Sequence, residues 1–309
     1  MIRAAVAFVL ALGLAGTAFA DPSPPRPACT LNELASLDLT MEPSGVVSIP
    51  VAIDNQPARF TIDTGALLSV VSDSVADQLK LERKRLPIEL MMPGGVKTRS
   101  LAVADTFTIG KMTARSLALA VIPTSALLGF EADGLLGPDI LSNYDIDLDF
   151  AHAKFNIFSQ DHCEGNVVYW AKGGSYAKIP FRLLDHLHIA APVVLDGKTI
   201  TAVIDTGAER TMMPLSAARA LGIDVSAANV TSERRSVNGT AASVLYRYPF
   251  QTLALEGVTI SHPDIDIGPD FNLGGAQILL GIETLRQLHL YIAYKERALY
   301  VTPAEAGGN

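Results

Sequence analysis

The sequence has little cysteine, histidine or tryptophan, and these shortages narrow its chemistry. Two cysteines in 309 residues are too few for a disulfide scaffold or a cysteine-rich zinc site. Of the six histidines, His186 and His188 alternate with no further ligands at metal spacing, so they read as one exposed strand face. The EF-hand loop pattern is absent. Asp145, Asp147 and Asp149 alternate with Ile146, Leu148 and Phe150, the pattern of a half-buried strand. Asp264, Asp266 and Asp270 read as a solvated loop rather than a calcium site. A glycine-rich phosphate loop and a Gly-x-Ser-x-Gly elbow are also missing, which removes nucleotide and serine-hydrolase readings. Positive charge is in deficit, with 24 Lys and Arg against 32 Asp and Glu and a net charge of −8. Such a surface repels phosphates, so nucleic acid is not an expected partner. No metal or organic cofactor is implied.

The chain does hold enough apolar residues, 49 %, to exclude disorder, and its length suits about two domains. Its 24 glycines and 18 prolines follow no collagen-like period and suit many turns between short strands. Arg3 precedes an apolar run from Ala4 to Leu14, and Ala18-Phe19-Ala20 presents small residues ahead of Asp21. Residues 1–20 therefore read as a cleaved signal peptide, and the protein as exported, periplasmic or secreted. After that cleavage no segment is apolar enough to span a bilayer. An oxidising compartment permits disulfides, so Cys29 and Cys163 are candidates to pair. The alternatives are two free thiols or a lipid-modified Cys29.

The most informative feature is an internal repeat. Phe60-Thr61-Ile62-Asp63-Thr64-Gly65-Ala66 recurs as Ala202-Val203-Ile204-Asp205-Thr206-Gly207-Ala208, displaced by 142 positions. Val51-Ala52-Ile53-Asp54 recurs at the same offset as Val193-Val194-Leu195-Asp196. Leu135-Leu136-Gly137 recurs as Leu279-Leu280-Gly281, and Asp147–Phe150 as Tyr291–Tyr294, both displaced by 144. Each copy reads mostly as β-structure. Hairpins are expected around Asp196-Gly197 and around Asn55-Gln56-Pro57. Short helices are expected over 72–81, 138–143, 214–221 and 282–289. The segment 21–40 reads as a Pro-rich lead-in, 41–158 as one lobe, 159–175 as a linker carrying Trp170 between lobes, 176–303 as a second lobe, and 304–309 as a frayed tail.

A lone Asp-Thr-Gly is common turn chemistry. Here each copy follows a β-branched apolar run and precedes a Leu-Leu-Gly element, and the combination resembles the aspartic protease superfamily, especially its retropepsin-like branch. The resemblance spans about Ser48 to Phe158 and Ile179 to Val301. It implies an all-β, bilobal acid-protease fold: two retropepsin-like β-barrel lobes with a few short helices and a cleft between them. The two tandem copies look like a fused pair, so an internal pseudo-dimer working as a monomer is expected.

The same resemblance implies that Asp63 and Asp205 are catalytic, one from each lobe. Peptide hydrolysis needs a base to activate water and an acid to protonate the carbonyl oxygen and leaving group. Two carboxyls in contact share one proton and supply both roles. Gly65 and Gly207 would let the backbone turn sharply and donate N–H bonds to the carboxyls, and Thr64 and Thr206 would reach across the pseudo-twofold axis. Ala66 and Ala208 lack a hydroxyl that would favour the ionised carboxylate, which implies a mildly acidic pH optimum. Leu136, Gly137, Leu280 and Gly281 read as scaffold beside the site. The tips at Met92, Gly94 and Gly95 and at Asn238 and Gly239 are candidate flaps over an extended substrate. The function implied is endopeptidase action on a peptide or unfolded protein segment. The alternative is a non-catalytic peptide-binding protein that retains the fold.

Overall fold

A computed structural model describes residues 29–91, 95–127, 131–171, 175–235 and 242–304. Met92, Gly94, Asn238, Gly239 and the signal segment lie outside the described residues. The fold is built from the two repeats in the same way. In the first, strands Val47–Ile53 and Gln56–Ile62 pair antiparallel through a two-residue turn at Asp54 and Asn55, whose φ angles are 49° and 63°. In the second, Ile189–Leu195 and Lys198–Ile204 pair likewise through Asp196 and Gly197, at 45° and 78°. Left-handed residues at both central positions match the twist of a tight hairpin, and Asn, Asp and Gly tolerate that conformation best. The first turn thus lies earlier than the expected Asn55-Gln56-Pro57, and Gln56 and Pro57 belong to the strand.

The strand leading to each Asp runs parallel to the Leu-Leu-Gly strand. Phe60, Thr61 and Ile62 sit beside Gly134, Leu135 and Leu136, and Ala202, Val203 and Ile204 beside Ile278, Leu279 and Leu280. Runs this rich in apolar and β-branched residues suit strands covered on both faces. Among the described residues four short α-helices follow: Asp73–Gln78, Pro138–Leu141, Leu215–Ala220 and Ile282–Leu285. The first is capped by Ser72, whose hydroxyl accepts the Val75 N–H at 3.2 Å, a standard N-terminal device.

Among the described residues the strands form an eight-stranded sheet from the first repeat, a ten-stranded sheet from the second, and a six-stranded sheet between them. The six-stranded sheet is shared. Its central pair joins Asp145–Asp149 of one repeat to Leu288–Ala293 of the other, with Ile146 opposite Ile292 and Leu148 opposite Leu290. Its outer strands include Glu33–Asp38, on Lys154–Phe158, and Ala177–Pro180, on Ala298–Pro303. The 29–40 segment, read as lead-in, therefore contains a strand of this sheet. Cys29 and Cys163 form a disulfide that fastens it, with Cα atoms 5.0 Å apart.

The shared sheet corrects the half-buried reading of the 145–149 strand. Asp145 and Asp147 are fully buried, because this strand is central and flanked on both sides. Burial demands partners for both carboxylates. His162 Nε2 lies 2.5 Å from Asp145 Oδ2, and His289 Nε2 lies 2.7 Å from Asp147 Oδ1. Tyr169 donates its hydroxyl to Asp147 at 2.5 Å. Trp170 stacks on His289 with ring centroids 4.2 Å apart and donates its Nε1–H to Thr302 at 3.0 Å, so it packs on the shared sheet. Asp266 is also buried within the strand Asp266–Gly268, not in a solvated loop. Arg210 Nε donates to it at 2.5 Å and Arg247 Nε at 3.1 Å.

Candidate active site

Each Asp-Thr-Gly loop begins where its strand ends. The Asp63 N–H donates to Leu136 O and the Asp205 N–H to Leu280 O, both at 3.0 Å. The parallel neighbour thus fixes where each Asp emerges. Gly137 and Gly281 follow these neighbours at points of close backbone approach. A Cβ on Gly137 would lie 2.8 Å from the Leu68 carbonyl carbon, and one on Gly281 would lie 2.8 Å from Ala208 O. Only glycine lets the returning loop pass so near.

Two hydroxyls at equivalent positions hold these approaches, and motif reading alone missed them. Ser69 Oγ accepts the Gly137 N–H at 2.9 Å and Thr211 Oγ1 accepts the Gly281 N–H at 3.1 Å. Ser69 also donates to Asp139 at 2.8 Å, while Thr211 shares a 2.5 Å bond with Thr284. The 142-residue offset links Ser69 to Thr211, so extending the repeat alignment past Ala66 and Ala208 would have found them.

The loops meet across the lobe boundary. The Thr64 hydroxyl donates to Ile204 O at 2.8 Å, and the Thr206 hydroxyl donates to Ile62 O at 2.7 Å. The Thr64 N–H donates to Thr206 Oγ1, and the Thr206 N–H to Thr64 Oγ1, both at 3.1 Å. Both threonines are fully buried. Four reciprocal bonds, closed from water, place the loops in register.

That register brings the carboxyls together. A Cβ on Gly65 would overlap the Asp205 carboxyl group, and a Cβ on Gly207 would overlap that of Asp63. Each glycine therefore makes room for the other lobe's aspartate. The Gly65 N–H donates to Asp63 Oδ1 at 3.0 Å. Asp205 Oδ1 accepts from the Gly207 N–H at 2.9 Å and the Ala208 N–H at 3.1 Å. The carboxyls are also within hydrogen-bond reach of one another. Burial pushes Asp63 well above the usual carboxylate range and the Asp205 charge adds to this, against the backbone N–H groups. Burial also raises Asp205, but its two N–H donors and His188 oppose the rise. Two buried carboxyls so placed titrate as a coupled pair rather than singly.

His188 corrects the expected exposed histidine face. His186 lies in a tight turn over Asp185–Leu187, with φ 59°, and is exposed. His188 is half-buried, with its Nε2 3.1 Å from Ala66 O. A turn, rather than a regular strand, ends the alternation, so the two rings diverge.

Strands Glu82–Met91 and Lys97–Ile109 pair up to Met91 and Lys97. Leu90 and Val96, like Leu67 and Leu68 just beyond the first loop, pack against the buried cluster of Val70, Ala120, Ile122, Leu127 and Leu135. Of that tip's expected residues, Gly95 is described, with φ 79° and open space around it. In the other lobe, Thr231–Arg235 pairs with Ser243–Arg247. There Arg235 reaches Glu209 at 3.5 Å, one residue past Ala208. Among the described residues, no group of three or more His, Cys, Asp and Glu side chains is arranged to hold a metal ion, and no helix is long and apolar enough to cross a membrane.

A family model described as aspartyl protease matches the chain twice, over residues 49–140 and 191–284. Each match contains one Asp-Thr-Gly loop and its Leu-Leu-Gly partner. No curated protein matches. Among solved structures, basic 7S globulin from soybean is similar in fold, with TM-score 0.57 and 12 % identity over 91 % of this chain and 98 % of that one. At that identity the likeness concerns architecture alone. With two tandem matches over more than half its length, the chain belongs to the aspartyl protease family, as a retropepsin-like member with both repeats in one polypeptide.

Proposed function

We propose that the protein is an exported aspartic endopeptidase in which Asp63 and Asp205 activate one water molecule between them. One observation carries this reading: each catalytic-loop glycine leaves space occupied by the opposite lobe's carboxyl. The ionised carboxyl takes a proton from water as its oxygen attacks the scissile carbonyl carbon. The protonated carboxyl gives its proton to the carbonyl oxygen, forming a neutral tetrahedral diol. Collapse breaks the C–N bond as the newly protonated carboxyl gives its proton to the leaving nitrogen and the other carboxyl takes one from a diol hydroxyl, leaving a carboxylic acid and an amine. The pair ends as it began, with one proton.

The substrate on this reading is an extended peptide or unfolded segment held by one chain acting as a monomer. The paired strands Glu82–Met91 and Lys97–Ile109 in one lobe, and Thr231–Arg235 and Ser243–Arg247 in the other, would carry the flaps. Ile88 and Met91, exposed on the first hairpin, offer it apolar and adaptable contacts. Export draws support from the disulfide, which suits an oxidising compartment, and from the signal-like residues 1–20.

The test is digestion of a denatured protein mixture at mildly acidic pH, with and without pepstatin, followed by mapping of the cut sites. Pepstatin-sensitive cleavage that Asp63→Asn abolishes is expected. Peptide binding by wild type and Asp63→Asn alike, with no cleavage by either, would establish the binding-protein alternative instead.

A further inference from the structure

The two repeats match residue for residue from each catalytic Asp to the alanine three positions on, and they diverge at the next position. Past Ala66 and Ala208 the same 142-residue offset sets Leu67 and Leu68 against Glu209 and Arg210. The divergence continues into the neighbouring strands. Val70 pairs with Ala120, which pairs in turn with Leu101. At the equivalent places Met212 pairs with Asp266, which pairs in turn with Arg247. Three apolar side chains, Leu68, Ala120 and Leu101, are thus exchanged for Arg210, Asp266 and Arg247.

Each set builds a different wall between its catalytic loop and its flap-bearing strands. In the first lobe Leu67, Leu68, Leu90 and Leu101 pack on the buried cluster around Val70 and Ala120, and each stays half-buried. In the second lobe Asp266 is buried against two guanidiniums, with Arg210 Nε at 2.5 Å and Arg247 Nε at 3.1 Å. Glu209 reaches Arg235 at 3.5 Å, which joins the catalytic loop to the second hairpin. A Cβ on Gly45 of the first lobe would lie 3.2 Å from Glu209 Cγ, so Glu209 stands at the lobe boundary. The side chains of Glu209, Arg235 and Arg247 are 47 %, 39 % and 39 % exposed, against 18 % for Arg210.

We propose that this exchange makes the protein one-sided in its choice of substrate: the flank of the scissile bond on the first lobe takes an apolar side chain, and the flank on the second lobe takes a polar or charged one. This rests on reading Asp63 and Asp205 as the catalytic pair and the hairpins as flaps. The cause is desolvation. Leu67, Leu68 and Leu90 gain by covering an apolar side chain, and they leave a substrate carboxylate or amide without partners. Glu209, Arg235 and Arg247 do the opposite. A leucine pressed on them strips water from charges and returns no hydrogen bond, whereas a polar side chain replaces that water with charge-assisted bonds. Arg210 and Asp266, the more buried members, anchor this wall.

The test is cleavage of a peptide library with every cut site mapped, read as residue preference on each side of the cut. Wild type should favour apolar residues by about tenfold on one flank and disfavour them by about tenfold on the other. The variant Glu209→Leu/Arg210→Leu/Arg247→Leu/Asp266→Ala installs the first repeat's residues together, so Asp266 is not left buried without its partners. It should turn the polar flank apolar and leave the other flank unchanged. Glu209→Leu, a single exposed change, should move the same flank in the same direction by a smaller factor, and it decides the matter if the fourfold variant does not fold. Apolar preference on both wild-type flanks, or a polar flank unmoved in a folded variant, would overturn the proposal. A wild-type protein that cuts nothing fails the endopeptidase reading separately, and the library is then read for peptides retained by the protein. Retained peptides with an apolar half and a polar half keep the proposal for a binding cleft. Retained peptides apolar in both halves, or no retention, overturn it.

Discussion

Replacing Gly207 with alanine tests the dyad geometry without assuming any activity. An ordinary Cβ contact is 3.4–4 Å, and the three atoms nearest a Cβ at Gly207 are Cγ, Oδ1 and Oδ2 of Asp63, all well inside that distance. The flanking loop cannot retreat freely, because Thr206 is bonded to Ile62 and Thr64 on the far side. Relief therefore requires the carboxyl to leave its place. Overpacking of this kind costs about 1–3 kcal/mol, and a displacement of about 1 Å at reacting groups costs roughly 100-fold in rate. The stability assay is urea unfolding of wild type, Gly207→Ala, Asp63→Ala and the double variant. Truncating Asp63 removes the clashing atoms, so the double variant should recover most of the Gly207→Ala loss, with a coupling of about 1–3 kcal/mol. Additive effects, or a Gly207→Ala protein as stable as wild type, would refute the placement of Asp63 against Gly207.

Three further outcomes follow from the same contacts. Burial and the Asp205 charge raise Asp63 above its ordinary value of 3.8, so the folded state releases that proton later than the unfolded state. Stability is lost as pH rises through the window above 3.8, and Asp63→Asn should melt higher than wild type at pH 7, by about 1–2 kcal/mol; this gain should vanish below pH 3.8 in a calorimetric series. Thr206→Val orphans the buried Thr64 N–H and Ile62 carbonyl and should cost about 1–3 kcal/mol or more, whereas exposed Thr259→Val should be near neutral in the same unfolding assay. Reducing the Cys29–Cys163 disulfide, which closes a separation of 134 residues, should cost about 2–5 kcal/mol, read as a lower urea midpoint in the presence of reductant.

Much of this arrangement was readable from the repeat. The Asp-Thr-Gly and Leu-Leu-Gly offsets identify which strands lie together, because apolar strands of this kind are covered on both faces and pair with a buried parallel neighbour. Ser69 and Thr211 were also within reach of that alignment, though single motifs hide them. The shared sheet was less visible. Alternation in Asp145–Asp149 reads as one wet face, yet the second repeat and the linker bury that face and supply His289, His162 and Tyr169 as partners. His188 was invisible for a related reason. Its spacing from His186 implies a strand, while two consecutive left-handed residues, His186 and Leu187, turn the chain and send one ring toward the opposite lobe.

The central claim is that one carboxyl from each repeat of a single chain forms the working pair. The direct measurement is peptide turnover by Asp63→Asn, by Asp205→Asn and by an equimolar mixture of the two. Each single variant should be inactive, and mixing should restore nothing, because both partners of the pair must belong to one polypeptide. Retained turnover in either variant, or recovery on mixing, would show that the carboxyls act alone or between chains and would contradict the account.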